Sequence, residues 1–486
     1  MMEFVENKEE EKIQLKAIFR DMLKYSPSKI CGMLGNAVIV PVYTSLLPPE
    51  QYGLYSLSIA LLSFLCILFS DWVGLSGLRF FRQHQLAQDL PSYLSILVTI
   101  LGFNILAMFL IAFVFREHFY SFFKIQPVYF LAILLLIIPV AIRALLFQLL
   151  RAQLKSVAFT FSTILNQILT IGLSVFFIKV FHMGAIALLL GMAISISLID
   201  ILLIYQSNIW AYFRLPKLKP GVLLPIFAYG IPIAATSLSA WIINQSNKFI
   251  MNNISGFTDV GYVGVAYGVT LPLLMTIFSI ITVAAIPRII RMYEAKIDVR
   301  PIISRFTGYY ILISLPVVTV MSLYAQDFVA IFSAPKFHEA FRLIPYFAFG
   351  TFFMGLTDYT TLQYHLANKT YIDFIIKLIS GIVGIALNII LIPKIGLEGV
   401  GVATLGANFL YYFLSIIIVL PGLRLLYPVR IIFGMLLSFL PMGFIHYLFL
   451  DIPSLTPIIK MIVLMLIFYV CYFAINNNMF KRNINC

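Results

Sequence analysis

PPEQYGLYSLSIALLSFLCILFSDWVGLSGLRFFR, residues 48–82, sets an unbroken apolar run between a Pro-Pro-Glu opening and an arginine-marked close. Roughly 20 such residues cross the ~30 Å hydrocarbon layer of a bilayer. No water is available there to satisfy backbone amides, so the run must be a helix. The stretch has an echo further on. FTDVGYVGVAYGVTLPLLMTIFSIITVAAIPRIIR, residues 257–291, again places a glycine near the start (Gly261, matching Gly53) and arginines at the close (Arg288 and Arg291, matching Arg79 and Arg82). A second echo sets FHMGAIAL at Gly184 against GLEGVGVAT at Gly399. Matches of this kind point to an internal repeat.

Reading outward, apolar runs of the same length recur almost without pause. They centre on 28–47, 53–77, 92–115, 128–149, 157–178, 183–205, 222–247, 261–286, 302–324, 343–364, 371–392, 397–420, 428–450 and 457–476. The connections are short and carry Pro, Gly and charge. The expected fold is all-α and integral to the membrane, with about fourteen transmembrane helices. Residues 1–27 form a cytoplasmic amphipathic segment, 28–205 an N-lobe (helices 1–6), 206–221 a cytoplasmic linker and 222–420 a C-lobe (helices 7–12). Two C-terminal helices follow at 428–476, with a cytoplasmic tail at 477–486. Six spans return the chain to the same side, so the two six-helix lobes form a parallel repeat about an axis along the membrane normal.

Composition agrees. The 486 residues are 61% hydrophobic and only 11% charged, with a mean hydropathy of +0.99, too little polar surface to coat a water-soluble core of this size. The formal charge of +13 could mark a nucleic-acid partner, but its distribution says otherwise. Roughly three quarters of the 33 Lys and Arg fall on alternate connections, the pattern of the positive-inside rule, with both termini on the basic, cytoplasmic side. The net charge is a topology signal, and no nucleic-acid partner is expected. The first residues lack the layout of a secretory signal. The four cysteines and six histidines show no metal or disulfide spacing, and His446, within the thirteenth span, stands alone. No phosphate-cradling glycine loop is found. A membrane enzyme is therefore the least favoured class, and no cofactor is expected.

The "YGLY" opening the second span, SDWVGLSGLRFF (70–81), YGIPIAATSLSAWIINQSNKFIM (229–251) and IPRI (286–289) resemble the polysaccharide-exporter branch of the multidrug/oligosaccharidyl-lipid/polysaccharide exporter superfamily. The resemblance covers most of the chain, through loose motifs of glycines, prolines and helix ends. The resemblance implies a flippase that moves an isoprenoid-pyrophosphate-linked oligosaccharide from the cytoplasmic to the outer leaflet by alternating access, for O-antigen or capsule synthesis. It implies a bacterial inner membrane, coupling to H+ or Na+, membrane lipid around it and a glycan polymerase as partner. The chain departs from the branch in one place: where an Asp-Arg pair is usual late in span seven, it carries Asn247 and Lys248. The alternative is a cation-coupled multidrug exporter of the same superfamily.

An ionisable group deep in the bilayer costs about 2.5–3.5 kcal/mol on insertion scales, so one that persists usually faces a cavity. Arg143, in IIPVAIRALLFQ (137–148), is the strongest candidate, a guanidinium suited to a pyrophosphate or acidic sugar. The competing reading is snorkelling to the interface. Lys248 closes span seven among Asn244 and Asn247, either as the rim of an outer vestibule or as an interfacial anchor. Asp358, in MGLTDYTTLQYH (354–365), and Asp71 could pair an intramembrane cation or carry a coupling proton; for Asp71 a structural ion pair is the rival. Asn36 is the polar group of span one. Asp200 reads as interfacial, and Asn166, Asn388 and Asn408 as bonds between helices.

Overall fold

The computed structural model describes residues 35, 38–207, 220–424, 429–450 and 456–482. The expected N-terminal amphipathic segment, the start of span one with Asn36, most of the linker and the last residues of the tail lie outside these. Among the described residues every regular element is helical. Twelve helices are long and apolar enough to cross a membrane, and Ile432–Leu448 adds a shorter one.

Residues 38–46 are helical (α1). The second span is a single rod of α2 (Pro49–Cys66), a π-helical turn (Ile67–Asp71) and α3 (Trp72–Leu86). Next come α4 (Leu90–Val114), a short α5 (Arg116–Phe123), α6 (Pro127–Ala152), α7 (Ser156–Phe181) and α8 (Ala185–Ser207). The second half repeats the order: α9 (Pro220–Ser255), α10 (Phe257–Glu294), α11 (Arg300–Leu323), short α12 (Ala325–Phe332), a 3-10 turn (Pro335–Leu343), α13 (Ile344–Leu366), α14 (Thr370–Ile395) and α15 (Leu397–Ile417). The chain closes with α16 (Val429–Leu450) and α17 (Pro457–Arg482). Proline in the first turn opens α2, α4, α6, α11 and α13, where its missing N–H costs no helical bond.

Packing repeats as the sequence does. In the first half α2 lies on α6, α6 on α8 and α7 on α8; in the second, α10 lies on α13, α13 on α15 and α14 on α15. The short helices α5 and α12 take equivalent places in the two halves. α16 and α17 pair with each other and lean on α11. Gly184 and Gly396 both take a φ of +59°, each just before the last helix of its half. This corrects the repeat register: the partner of Gly184 is Gly396, three residues before Gly399. Left-handed backbone, which glycine adopts without strain, marks the true equivalence.

The halves meet through like helices. A Cβ on Gly53 would strike the Phe257 carbonyl and the Gly261 amide, and one on Gly261 the Pro49 carbonyl, so α2 and α10 cross with their backbones in contact. Beside this crossing, at the less basic end, lie four bonds. Lys124 Nζ donates to the Asn253 carbonyl (3.0 Å) and Asn252 Nδ2 to the Phe123 carbonyl (3.0 Å). The Ala334 amide donates to Thr44 Oγ1 (3.1 Å) and Lys336 Nζ to the Ser45 carbonyl (3.4 Å). Further along α9, Trp241 Nε1 donates to the Ala60 carbonyl (3.1 Å) and to Ser63 Oγ (3.0 Å). At the basic end Ser76 Oγ donates to the Ile226 carbonyl (3.4 Å), and the Phe80 and Tyr229 rings stand 5.7 Å apart. The halves therefore touch at both ends.

Candidate functional site

Arg143 sits within α6, nine residues before the helix ends, so roughly 13 Å from its basic end at 1.5 Å per residue. It is half-buried, with its guanidinium carbon 5.9 Å from the centre of the Phe147 ring one turn on. The opposite charge that acts on it most strongly is Asp200, on the neighbouring α8. Asp200, read from the sequence as interfacial, lies seven residues before the end of α8. It shares the packed face of α8 with Ile196, Ile199 and Leu203, is 4% exposed, and neither carboxylate oxygen has a hydrogen-bond partner. Cys66, at the end of α2, lies within reach of both Arg143 and Asp71. Asp71 closes the π turn, where it accepts a bond from Ser70 Oγ (3.3 Å) and, among the described residues, forms no ion pair. The rival reading of Asp71, a structural ion pair, finds no partner among the described residues. A π turn is a local underwinding, with one extra residue in the turn, often retained at functional sites, and here it separates two segments that pack on different partners: α2 on α10, α3 on α9.

Lys248 does not end its helix, because α9 runs on to Ser255 and is 36 residues long. It is 6% exposed, with its ammonium 5.5 Å from the Tyr267 ring centre on α10. A lysine anchor would reach the interface; this one is enclosed and held by a ring face. Asn247 is fully buried, donating to Tyr267 Oη (3.2 Å) and to Thr404 Oγ1 on α15 (3.0 Å), so it joins three helices of the second half instead of facing a vestibule. Asn244, one turn earlier, opens onto a cavity of about 130 Å³. Asp358 on α13 faces the same cavity, together with Lys377, Asn408 and Tyr411. Such a space has room for a few water molecules beside its polar lining. Lys377 Nζ is bound to Asp373 (3.3 Å), which also accepts from Tyr411 Oη (2.6 Å).

The sequence candidates therefore fall in two groups. Arg143 and Asp71 belong to the first half, while Asn244, Asn247, Lys248 and Asp358 gather in the second. Asn36 lies outside the described residues. Asp373 and Tyr267 were missed, and Asp200 was read without its packed surroundings. Asp373 carried a legible signal, a Lys four residues on, but Asp200 and Tyr267 gain meaning only from helix rotation. Of the expected interhelical asparagines, Asn166 does accept a bond from Ser195 on α8 (3.2 Å), whereas Asn388 and Asn408 donate within their own helices. His446 is not alone, its Nδ1 lying 3.1 Å from Tyr324 Oη.

Two repeated helical halves joined across α2 and α10, with a trailing helix pair, define a multi-pass α-helical membrane protein. Among solved structures, "Lipid II flippase MurJ, inward closed conformation" superposes with a TM-score of 0.74 at 15% identity, covering 96% of this chain and 100% of that one. An inward-facing multidrug resistance MATE family transporter of the MOP superfamily gives 0.66 at 14% identity, over 80% and 92%. MATE in the bent conformation gives 0.59 at 13%, over 82% and 94%. At these identities the likeness is one of fold. No curated protein matches the chain. Residues 18–293 match the family described as polysaccharide biosynthesis protein, and the chain belongs to that family.

Proposed function

We propose that the protein is a flippase for a lipid-linked oligosaccharide, carrying an isoprenoid-pyrophosphate-linked sugar from the cytoplasmic to the outer leaflet for surface polysaccharide synthesis. The observation that carries the reading is Arg143, a half-buried guanidinium more than two turns inside a spanning helix of a polysaccharide-family chain with an exporter fold. A guanidinium fork matches a pyrophosphate, and low dielectric strengthens the match. In this reading 28–205 and 222–420 are the moving lobes, the basic ends face the cytoplasm of a bacterial inner membrane, and a glycan polymerase takes the product. Asn244 and Asp358 provide a wet polar pocket for a coupling ion, H+ or Na+. Deleting the gene should leave lipid-linked repeat units stranded in the inner leaflet; normal surface glycan in the deletion strain would defeat the proposal.

One observation favours the multidrug alternative: Asp358 presents a carboxylate to an internal cavity, the charge a cationic drug would seek. Lys377 shares that cavity, which weakens the attraction. Raised drug resistance on overexpression would favour that reading.

A further inference from the structure

We propose that Asp200 is a built-in counter-ion, competing with the transported anion for Arg143 and taking up a proton when the anion wins. The inference rests on the flippase reading and deepens it. Its basis is the arrangement around α8. Asp200 occupies a core position between Ile199 and Leu203, 4% exposed, with both oxygens unbonded, while the Arg143 charge reaches it from α6.

The groups facing this site can be named from each packed element. α6 brings Arg143, and its Arg151 is exposed at the helix end. α2 brings Cys66, and the π turn brings Asp71 within reach of that thiol. α7 carries no titratable side chain before Lys179, near its far end. Among the described residues, Arg143 is thus the charge that compensates a carboxylate otherwise buried and bare. A buried charge without a partner is costly, by several kcal/mol for a carboxylate in low dielectric.

The pair is held by field and not by a direct bond, which makes it easy to displace. A pyrophosphate brings two charges and a forked set of acceptors to the guanidinium, where Asp200 offers one charge at longer range. Once Arg143 turns to the pyrophosphate, Asp200 keeps its burial and loses its compensation. It then relieves the cost by accepting a proton from water, becoming a neutral carboxyl group. Linkage makes the effect reciprocal: protonating Asp200 frees Arg143, so acid conditions tighten anion binding. A monoanion gains too little to displace Asp200, which sets the preference for a dianion.

The experiment uses the full chain in lipid nanodiscs. The probe is an isoprenoid pyrophosphate diester bearing one sugar, whose two charges persist from about pH 5.5 to about pH 8. Wild-type protein should bind roughly tenfold tighter at the acid end, and Asp200→Glu should keep that slope. Asp200→Asn should bind tightly at both, with the slope gone, and should accept a monophosphate diester as well. Arg143→Gln should bind at neither. If Asp200→Asn retains the wild-type affinity and slope, the counter-ion is overturned while the flippase site stands. Unchanged binding by Arg143→Gln would overturn the flippase site itself. Should Asp200→Asn fail to fold, proton uptake by wild-type protein on probe binding, read with an indicator dye in weak buffer, decides the matter; zero uptake overturns the proposal.

Discussion

Lys248 shows how little a single residue's sequence position says about its surroundings. Read along the chain it closes a span; in the structure it is enclosed against the Tyr267 ring. An ammonium in such a place gains about 0.5–2 kcal/mol from a ring face but gives up hydration worth several kcal/mol. Lys248→Met should therefore leave thermal stability unchanged or raise it. Tyr267→Ala, which strips both the ring and the Asn247 partner, should cost about 2–4 kcal/mol. Thermal unfolding of the purified variants in micelles compares the two, and a large fall for Lys248→Met would reveal a pairing that the packing does not show. Arg143 was legible because a guanidinium has no cheap place in hydrocarbon. Asp200 was not, since α8 is apolar all round and periodicity then names no inner face.

The spans themselves were readable as elements, because apolar length is a direct physical requirement of the bilayer. Thirteen of the fourteen expected centres each fall on one described helical rod, and α1 carries the described part of the first. What the sequence could not show was the departure from plain helix. The π turn at Ile67–Asp71 lies inside an apolar run with no proline or glycine to announce it. Deleting Leu68 would remove the bulge and restore ordinary winding while keeping α3 in nearly the same facing on α2, because a π turn spreads one extra residue over about the same angle. The expected outcome is normal membrane insertion with complementation lost, measured by surface-glycan recovery in a deletion strain; full complementation would make the turn dispensable. The glycine crossing gives a second prediction. Gly53→Ala must push α2 and α10 apart, at about 1–3 kcal/mol of overpacking, seen as a lowered unfolding temperature. A wild-type temperature would mean that the crossing tolerates a methyl group.

For the whole molecule, the alternation of Lys and Arg predicted a sidedness that labelling can check. On a cysteine-free background, Gln126→Cys, at the head of α6, should react with an impermeant maleimide in intact cells. Gln88→Cys, in the turn after α3, should react only in inverted vesicles. The opposite pattern would invert the orientation, and with it the direction proposed for transport. The two-fold plan was legible through Gly53 and Gly261, but the second register was set three residues off because glycines are frequent in GLEGVGVAT and only backbone geometry distinguishes them.

The crossing of Gly53 on Gly261 has one more implication. Two bare main chains in contact present no rotamers to lock, so the joint resists separation without fixing an angle. Resistance to tilting must then come from what flanks it, the short polar ties from Lys124, Asn252, Thr44 and Lys336 on one side and those from Trp241 and Ser76 on the other. Such ties are few and replaceable by water, so the stiffness of this joint is set at its rim and not at its axle.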